Sequence, residues 1–394
     1  MKETIVKYMR CDMRKNGKKR FKKRIFAIIL CLSSILIVFF SAVKVINFIE
    51  KNIKLNASKS KAQEIKKISI ESSKNSEGSQ KTSSNVEVLL SSAGDCTIGT
   101  DPRFDVNTSL LTTVRKNNND YSYLFKNAVP IFEKDDITIV NLETTFTNAK
   151  ARADKTFTFK APPEFAKALN LGSIEGVNIS NNHIHDFLDK GFNDTIGTLK
   201  QYNVNYFGED SKWIKEVKGV RFGFLGYQGW SNNDKFMDKL KQDIKELKGQ
   251  GCIVVINFHW GEEGSYYPNS TQKSIAHYAI DQGADLIIGH HPHVIQGLER
   301  YKDKIICYSL GNFCFGGNSN PSDKDTFVLQ TKFSFNDNKL VKYDIRVIPF
   351  SISSVKYTNN YCPTPLSGND KERLLKKINN ISTNLGSNVT DSFN

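Results

Sequence analysis

Seven short apolar runs, separated in several places by segments of helical periodicity, restrict this chain more than any other feature of its sequence. They are VEVLLSSA (86–93), ITIVN (137–141), GVNIS (176–180), RFGFLGY (221–227), CIVVINF (252–258), DLIIG (285–289) and KIICYSL (304–310). Near-continuous apolar character over a handful of residues marks strands buried on both faces. Helical patterns stand at 162–171, 187–202, 234–248 and 271–282. Strands alternating with helices predict an α/β domain over residues 86–350. After Asp325 the pattern changes to TFVLQTKFSF and KLVKYDIRVIPF, an antiparallel pair joined at Asn336-Asp337-Asn338. Residues 351–394, rich in Asn and Ser around one short amphipathic helix (370–378), are expected at the periphery.

The N-terminal quarter obeys different rules. Residues 25–43 carry no charge, and 19 apolar or small residues are enough to cross a bilayer as a helix. Nine Lys/Arg occupy residues 10–24 but only three occupy 44–58, so the positive-inside rule keeps the basic tail (1–24) in the cytoplasm. Residues 25–49 then form an uncleaved signal anchor, preferred to a cleaved signal peptide because the span is long and Ser41-Ala42-Val43 is a weak cleavage site. A flexible Lys/Ser-rich tether (50–85) leads to an extracytoplasmic domain. The net charge of +14 belongs to this N-terminal segment: residues 1–81 hold 20 of the 55 basic and 6 of the 41 acidic side chains. The remainder is neutral, which excludes a nucleic-acid footprint.

All seven histidines fall between His183 and His293, and most directly follow a strand run. Loops at the carboxyl ends of strands line the ligand crevice of an open α/β sheet. Asp95 and Glu143 share that position, so Asp95, Glu143, Asn182, His183, His259, His291 and His293 form one constellation of carboxylates, imidazoles and an amide. Such a set suits Mn, Fe or Zn, as one or two ions. His277, within a helical pattern, is expected to be an ordinary packed histidine. Arg103, Arg152, Lys155 and Lys160 lie near these motifs but read as a solvated face. The seven cysteines contain no C-x-x-C pair and read as structural thiols.

In order, the motifs AGD (93–95), NLE (141–143), NNH (181–183), HWGEE (259–263), GHHPHVIQGLE (289–299) and SLGNF (309–313) resemble the CapA family of poly-γ-glutamate capsule biosynthesis proteins. That family is similar to the calcineurin-like metallophosphoesterases. The resemblance implies a four-layer α/β/β/α sandwich behind a single N-terminal transmembrane helix. It also implies metal ligation by Asp95, Glu143 (as the bridging carboxylate), Asn182, His259, His291 and His293, with His183 as the catalytic acid or transition-state stabiliser. His290 falls at a variable position. Trp260, Glu263 and Asn312, within the motifs, are candidates for substrate binding. One departure is plain: metallophosphoesterases begin with Asp-x-His, and Asp95-Cys96-Thr97 lacks the histidine, leaving the first metal position a ligand short. A mononuclear site of Glu143, Asn182, His259 and His291 stays open.

Three functional classes follow. The first is an anchored component of poly-γ-glutamate synthesis or export, contacting that polymer, another anionic surface polymer or membrane-bound synthase subunits. The second is a metal-dependent hydrolase of the polyglutamate amide or of a phosphoester. The third is a metal-free module whose histidines grip carboxylates.

Overall fold

The alternation of apolar runs with helical segments resolves, in the computed structural model, into two large sheets and one two-stranded one; residues 85–393 are described. Strand β1 (Asn85–Thr97) is followed by helix α1 (Leu110–Lys116) and the short α2 (Val129–Phe132). Next come β2 (Ile137–Leu142), the small β3 (Thr145–Phe146) and β4 (Lys160–Ala161), α3 (Lys167–Leu171), β5 (Gly176–Asn178), α4 (Leu188–Gln201) and β6 (Asn205–Phe207). The chain continues through β7 (Trp213–Val217), β8 (Val220–Gln228), α5 (Asp234–Gly249), β9 (Ile253–His259) and α6 (Ser270–Asp281). Strands β10 (Leu286–His290), β11 (Leu298–Tyr301), β12 (Lys304–Cys307) and β13 (Asn312–Phe315) follow. A long hairpin of β14 (Asp325–Asn336) and β15 (Lys339–Ser351), then β16 (Thr364–Pro365) and α7 (Gly368–Ser382), complete the order.

The first sheet runs β16-β15-β14-β1-β2-β5-β6, with β13 beside the end of β1. Its β1, β2, β5 and β6 are parallel, and the hairpin side is antiparallel. The second sheet runs β11-β12-β10-β9-β8-β7, parallel through its four middle strands. The mixed α/β class is therefore the observed one. Asp337 and Asn338 close the hairpin with φ of 48° and 61°, the left-handed pair that a two-residue turn needs and that Asn and Asp tolerate.

Alternate residues of each strand serve different cores, as period-2 geometry requires. Val88 and Leu90 of β1, Ile139 of β2, Phe224 of β8, Val255 of β9 and Ile288 of β10 share one buried cluster between the sheets. Val140 and Leu142 belong instead to a second cluster with residues of α1 and α3. Val254 and Ile256 belong to a third with Leu240, Ile244, Ile275 and Ala279 of α5 and α6.

The C-terminal segment departs from expectation. It is not peripheral: Leu374, Ile378 and Ile381 of α7 and Val389 beyond it are buried in the inter-sheet cluster. Helix α7 lies against β15 and β11, covering the edge where the two sheets would otherwise expose their apolar faces. Among the described residues no helix is long and apolar enough to cross a membrane. The basic tail, the anchor at 25–49 and nearly all of the tether fall outside the described residues.

At the amino-terminal end of β2, Asp135 accepts a hydrogen bond from Thr138 Oγ1 at 2.8 Å. Burial, assisted by the charges of Glu175 and Asp136, pushes its carboxyl up to about 7. Because the folded value exceeds the unfolded one, this group's contribution is fully present at low pH and is lost as pH rises through about 7. Asp135→Asn should therefore stabilise the protein at pH 8 by about 1–2 kcal/mol after solvent screening, a shift of several degrees in Tm. The gain should shrink at pH 5 and vanish only below the unfolded value of about 3.9. Melting curves at pH 8 and pH 5 test this; an undiminished gain at pH 5 contradicts it.

Candidate metal centre

The parallel strands of both sheets bring their carboxyl ends to one edge. Pairing places Asp95, Asn141 and Asn178 in a row across β1, β2 and β5. Gln228, His259 and His290 form the corresponding row across β8, β9 and β10. Gly94 allows the close packing beneath Asp95, since a Cβ there would stand 2.0 Å from the Gly311 carbonyl oxygen. Buried Asp95 accepts hydrogen bonds from Asn141 Nδ2 (2.8 Å) and the His291 amide (3.2 Å). The Nδ1 atoms of His290 and His293 each lie 3.4 Å from its oxygens. Burial alone would raise its carboxyl, but the hydrogen bonds and charges of these two histidines outweigh burial and hold it well below the usual range.

Glu143, one residue past β2, is the opposite case. Its side chain is buried and neither oxygen has a hydrogen-bond partner. His259 Nε2 approaches Oε1 at 3.5 Å and His293 Nε2 at 3.9 Å. Burial, then the Asp95 charge, pushes this carboxyl well above its ordinary value. A buried carboxylate without donors is costly unless a cation compensates it.

The cations and ligands come from the second sheet. His291 and His293 flank Pro292 just beyond β10, with φ of 96° and 57°. Non-glycine residues in this region cost of order 1–3 kcal/mol, and such strain collects at functional sites. His293 is pinned by Asn312, whose Oδ1 lies 2.9 Å from Nδ1 and whose Nδ2 donates to the His293 carbonyl at 3.1 Å. Burial opposes charge on His293, yet Glu143 and Asp95 prevail and push it up to about 10. Burial and the charge of His293 take His291 down to about 4, and its Nδ1 has no partner. Candidate ligand atoms of Glu143, His291 and His293 all lie within 4.8 Å of one another. A buried carboxylate without donors, with two imidazoles in reach, fits a divalent cation of borderline softness.

The remaining predicted residues divide into three groups. Asn141 Nδ2 contacts His259 Nδ1 at 3.3 Å, so His259 accepts there and donates from Nε2 to Asn182 Oδ1 at 2.8 Å. His259 and Asn182 thus engage each other, beside the Glu143–His291–His293 group. Burial lowers the imidazoles of both His259 and His183, keeping them neutral. His183 Nδ1 bonds Asp186 Oδ2 at 2.7 Å, and Asp186 also accepts from the Phe159 amide (2.6 Å) and Lys155 Nζ (2.7 Å).

Trp260 corrects the sequence reading: it is fully buried, stacks on Phe258 and donates Nε1–H to the Tyr308 carbonyl at 2.9 Å, so it offers a substrate no surface. Glu263 is exposed in the loop after β9, and its charge acts on both Glu143 and His293. Asn312 is buried and serves His293. His290 lies in the sheet, with Nε2 at 3.3 Å from Asn257 Oδ1.

Outside the cluster, His277 pairs with Glu299 at 2.8 Å and stacks on Tyr301, as an ordinary packed histidine does. Arg103 and Lys155 are tied to Asp101 and Asp186, and Lys160 donates to the Ala149 carbonyl at 2.6 Å. The five described cysteines are free and buried. Sequence reasoning missed Asn141, Asn181 and Asp186, which orient ligands rather than ligate. Asn181 ties its loop to β2 through the Leu142 carbonyl (2.8 Å) and takes the His183 amide (3.1 Å). The available signals were an Asn inside an apolar strand, two residues before Glu143, and an Asp three residues after His183.

A sequence model of the bacterial capsule synthesis protein family PGA_cap matches residues 89–317, more than half of the chain and all the residues of this cluster. The chain belongs to that family. It is 32% identical over 284 residues to a capsule biosynthesis protein CapA of Bacillus anthracis, covering 65% of this chain and 66% of that protein. It is 33% identical over 214 residues to a PGA biosynthesis protein CapA of Bacillus subtilis, covering 49% and 56%. A probable polyglutamine synthesis accessory protein of Mycobacterium tuberculosis is 24% identical over 226 residues, covering 49% and 60%. The matches thus span less than two thirds of each of these relatives.

Proposed function

We propose that this chain is a membrane-anchored, extracytoplasmic component of poly-γ-glutamate capsule synthesis and export, contacting the polymer or its membrane-bound synthase through the edge that carries Glu143. Family membership and the relatives' names support the polymer assignment. The uncharged run at 25–43 and its charge asymmetry support the anchor and the orientation. Two facing sheets with helices on their outer clusters support the four-layer metallophosphoesterase-like reading. The observation that carries a chemical role is the buried, unpartnered Glu143 beside His291 and His293.

A second reading, a metal-dependent hydrolase of the γ-amide or of a phosphoester, is favoured by the His183–Asp186 pair. A divalent ion held by Glu143, His291 and His293 would polarise a carbonyl or phosphoryl oxygen and acidify bound water. Asp95 keeps the His291 amide and the His293 ring in place. Asp186, accepting from His183 Nδ1–H, leaves His183 Nε2 free to take a proton and return it to a leaving group. A cleft of about 390 Å³, lined by Phe104, Phe157, Gly317 and Asn318 among others, gives a chain-like substrate room. The rings of Phe159 and Phe315, which contact His183 and His293, also lie against Gly317 of this cleft. The metal-free carboxylate grip is disfavoured, because His259 and His291 are held neutral and the charge on His293 is already matched by buried Asp95.

The test is deletion in a polymer-producing host that carries this chain. Surface polymer should be lost, restored by the wild type and not restored by Glu143→Ala. Unchanged surface polymer after deletion overturns the assignment.

A further inference from the structure

Strand β8 ends at Gln228, in register with His259. Gly229 extends that pairing by one bond, its amide donating to the His259 carbonyl at 3.0 Å, and the chain then leaves the sheet. Trp230, the next residue, lies over the histidines. Its ring meets His291 edge-on at 4.7 Å and 81°, and His259 at 5.8 Å and 90°. The indole plane is fixed by Nε1–H, which donates to Gln228 Oε1 at 3.0 Å.

His291 needs such support. Its backbone sits at φ 96° and its Nδ1 has no hydrogen-bond partner, so no side-chain hydrogen bond at Nδ1 sets its ring orientation. A ligating histidine is ordinarily oriented by a hydrogen bond from its second nitrogen, and losing that partner weakens metal binding about 10- to 100-fold. Here the ring is bracketed by aromatic contacts: Trp230 at 4.7 Å, His259 at 4.7 Å and His293 at 5.7 Å. Edge-to-face geometry is the arrangement in which aromatic pairs attract.

We propose that Trp230 is a positioning residue for the metal ligand His291, replacing with an edge-on indole the hydrogen bond that this imidazole lacks. The proposal rests on the metal reading of the Glu143–His291–His293 group. It has its own optical signature. Of the chain's three tryptophans, Trp213 is 7% and Trp260 0% exposed, whereas Trp230 is 46% exposed and is the one in ring contact with the cluster's histidines. Paramagnetic Mn²⁺ at the centre should quench it.

The experiment titrates the metal-stripped full-length chain, in detergent, with Mn²⁺, reading indole emission and retained metal. The wild type should bind Mn²⁺ with quenching. Trp230→Ala should raise the Kd at least about tenfold, with the metal-free melting temperature unchanged. Trp230→Phe, which keeps an aromatic edge, should restore most of the affinity while losing most of the quenching. A wild-type Kd in Trp230→Ala overturns the positioning role and leaves the metal reading standing. A wild type that retains no Mn²⁺ or Zn²⁺ overturns both.

Discussion

The double substitution Glu143→Ala/His291→Ala is expected to abolish metal retention by the purified protein while leaving its fold intact. Metal binding of about 10–16 kcal/mol shared among roughly four ligands gives about 3 kcal/mol for each. Removing two then weakens binding about 10⁴-fold, enough to turn stoichiometric occupancy after dialysis into none. A second effect has the opposite sign. In the metal-free protein, Glu143 is a buried carboxyl held above its ordinary value, so it supports stability at low pH and costs stability as pH rises through its folded value. The metal-free double variant should therefore melt at or above the metal-free wild type at pH 8. Elemental analysis and melting curves measure both. Equal metal in variant and wild type would remove the centre from consideration.

The largest effect on stability is expected far from this centre. Leu374→Ala and Ile378→Ala each empty a fully buried position in the inter-sheet cluster. Such truncations cost about 2–5 kcal/mol each, against a total stability of about 5–15 kcal/mol. Together they should lower Tm by at least about 10 °C or prevent soluble expression. Lys376→Ala, on the exposed side of the same helix, should leave Tm within a degree or two. Equal melting temperatures for the double variant and wild type would show that α7 is dispensable to the core.

That second case marks where the sequence stops being informative. The heptad-like spacing of Leu374, Ile378 and Ile381 announces an amphipathic helix, but periodicity carries no address for the face it covers. Three of its four cations, which suggest a solvated surface, are in fact spoken for: Arg373 and Lys377 meet Asp325, and Lys371 meets Asp391. Buried parallel strands were legible because both their faces are apolar. Strand β1 runs four residues beyond the expected Ala93 because pairing with β2 and β13 continues past Gly94, through Asp95 to Thr97. In contrast, KIICYSL ends as a strand at Cys307, and the two-residue β3 and β4 are too short to leave a pattern. In the site, Asp95, Glu143 and the HPH histidines announce themselves as ligand-type residues at strand ends. Asn141, Asp186 and Trp230 do not, because each acts through a neighbour that only the fold supplies.

Glu143 leaves the first sheet and His291 and His293 leave the second, so the three meet across the seam between the sheets. An ion held there is a rivet: it fastens two halves of the sandwich that are otherwise joined at this edge mainly by side-chain hydrogen bonds. By mass action each tenfold excess of free metal over Kd then adds about 1.4 kcal/mol to the stability of the whole domain. Chelation would loosen the joint at this rim. Metal supply would thus set how stiffly the protein holds its own mouth, whether or not any bond is ever cut there.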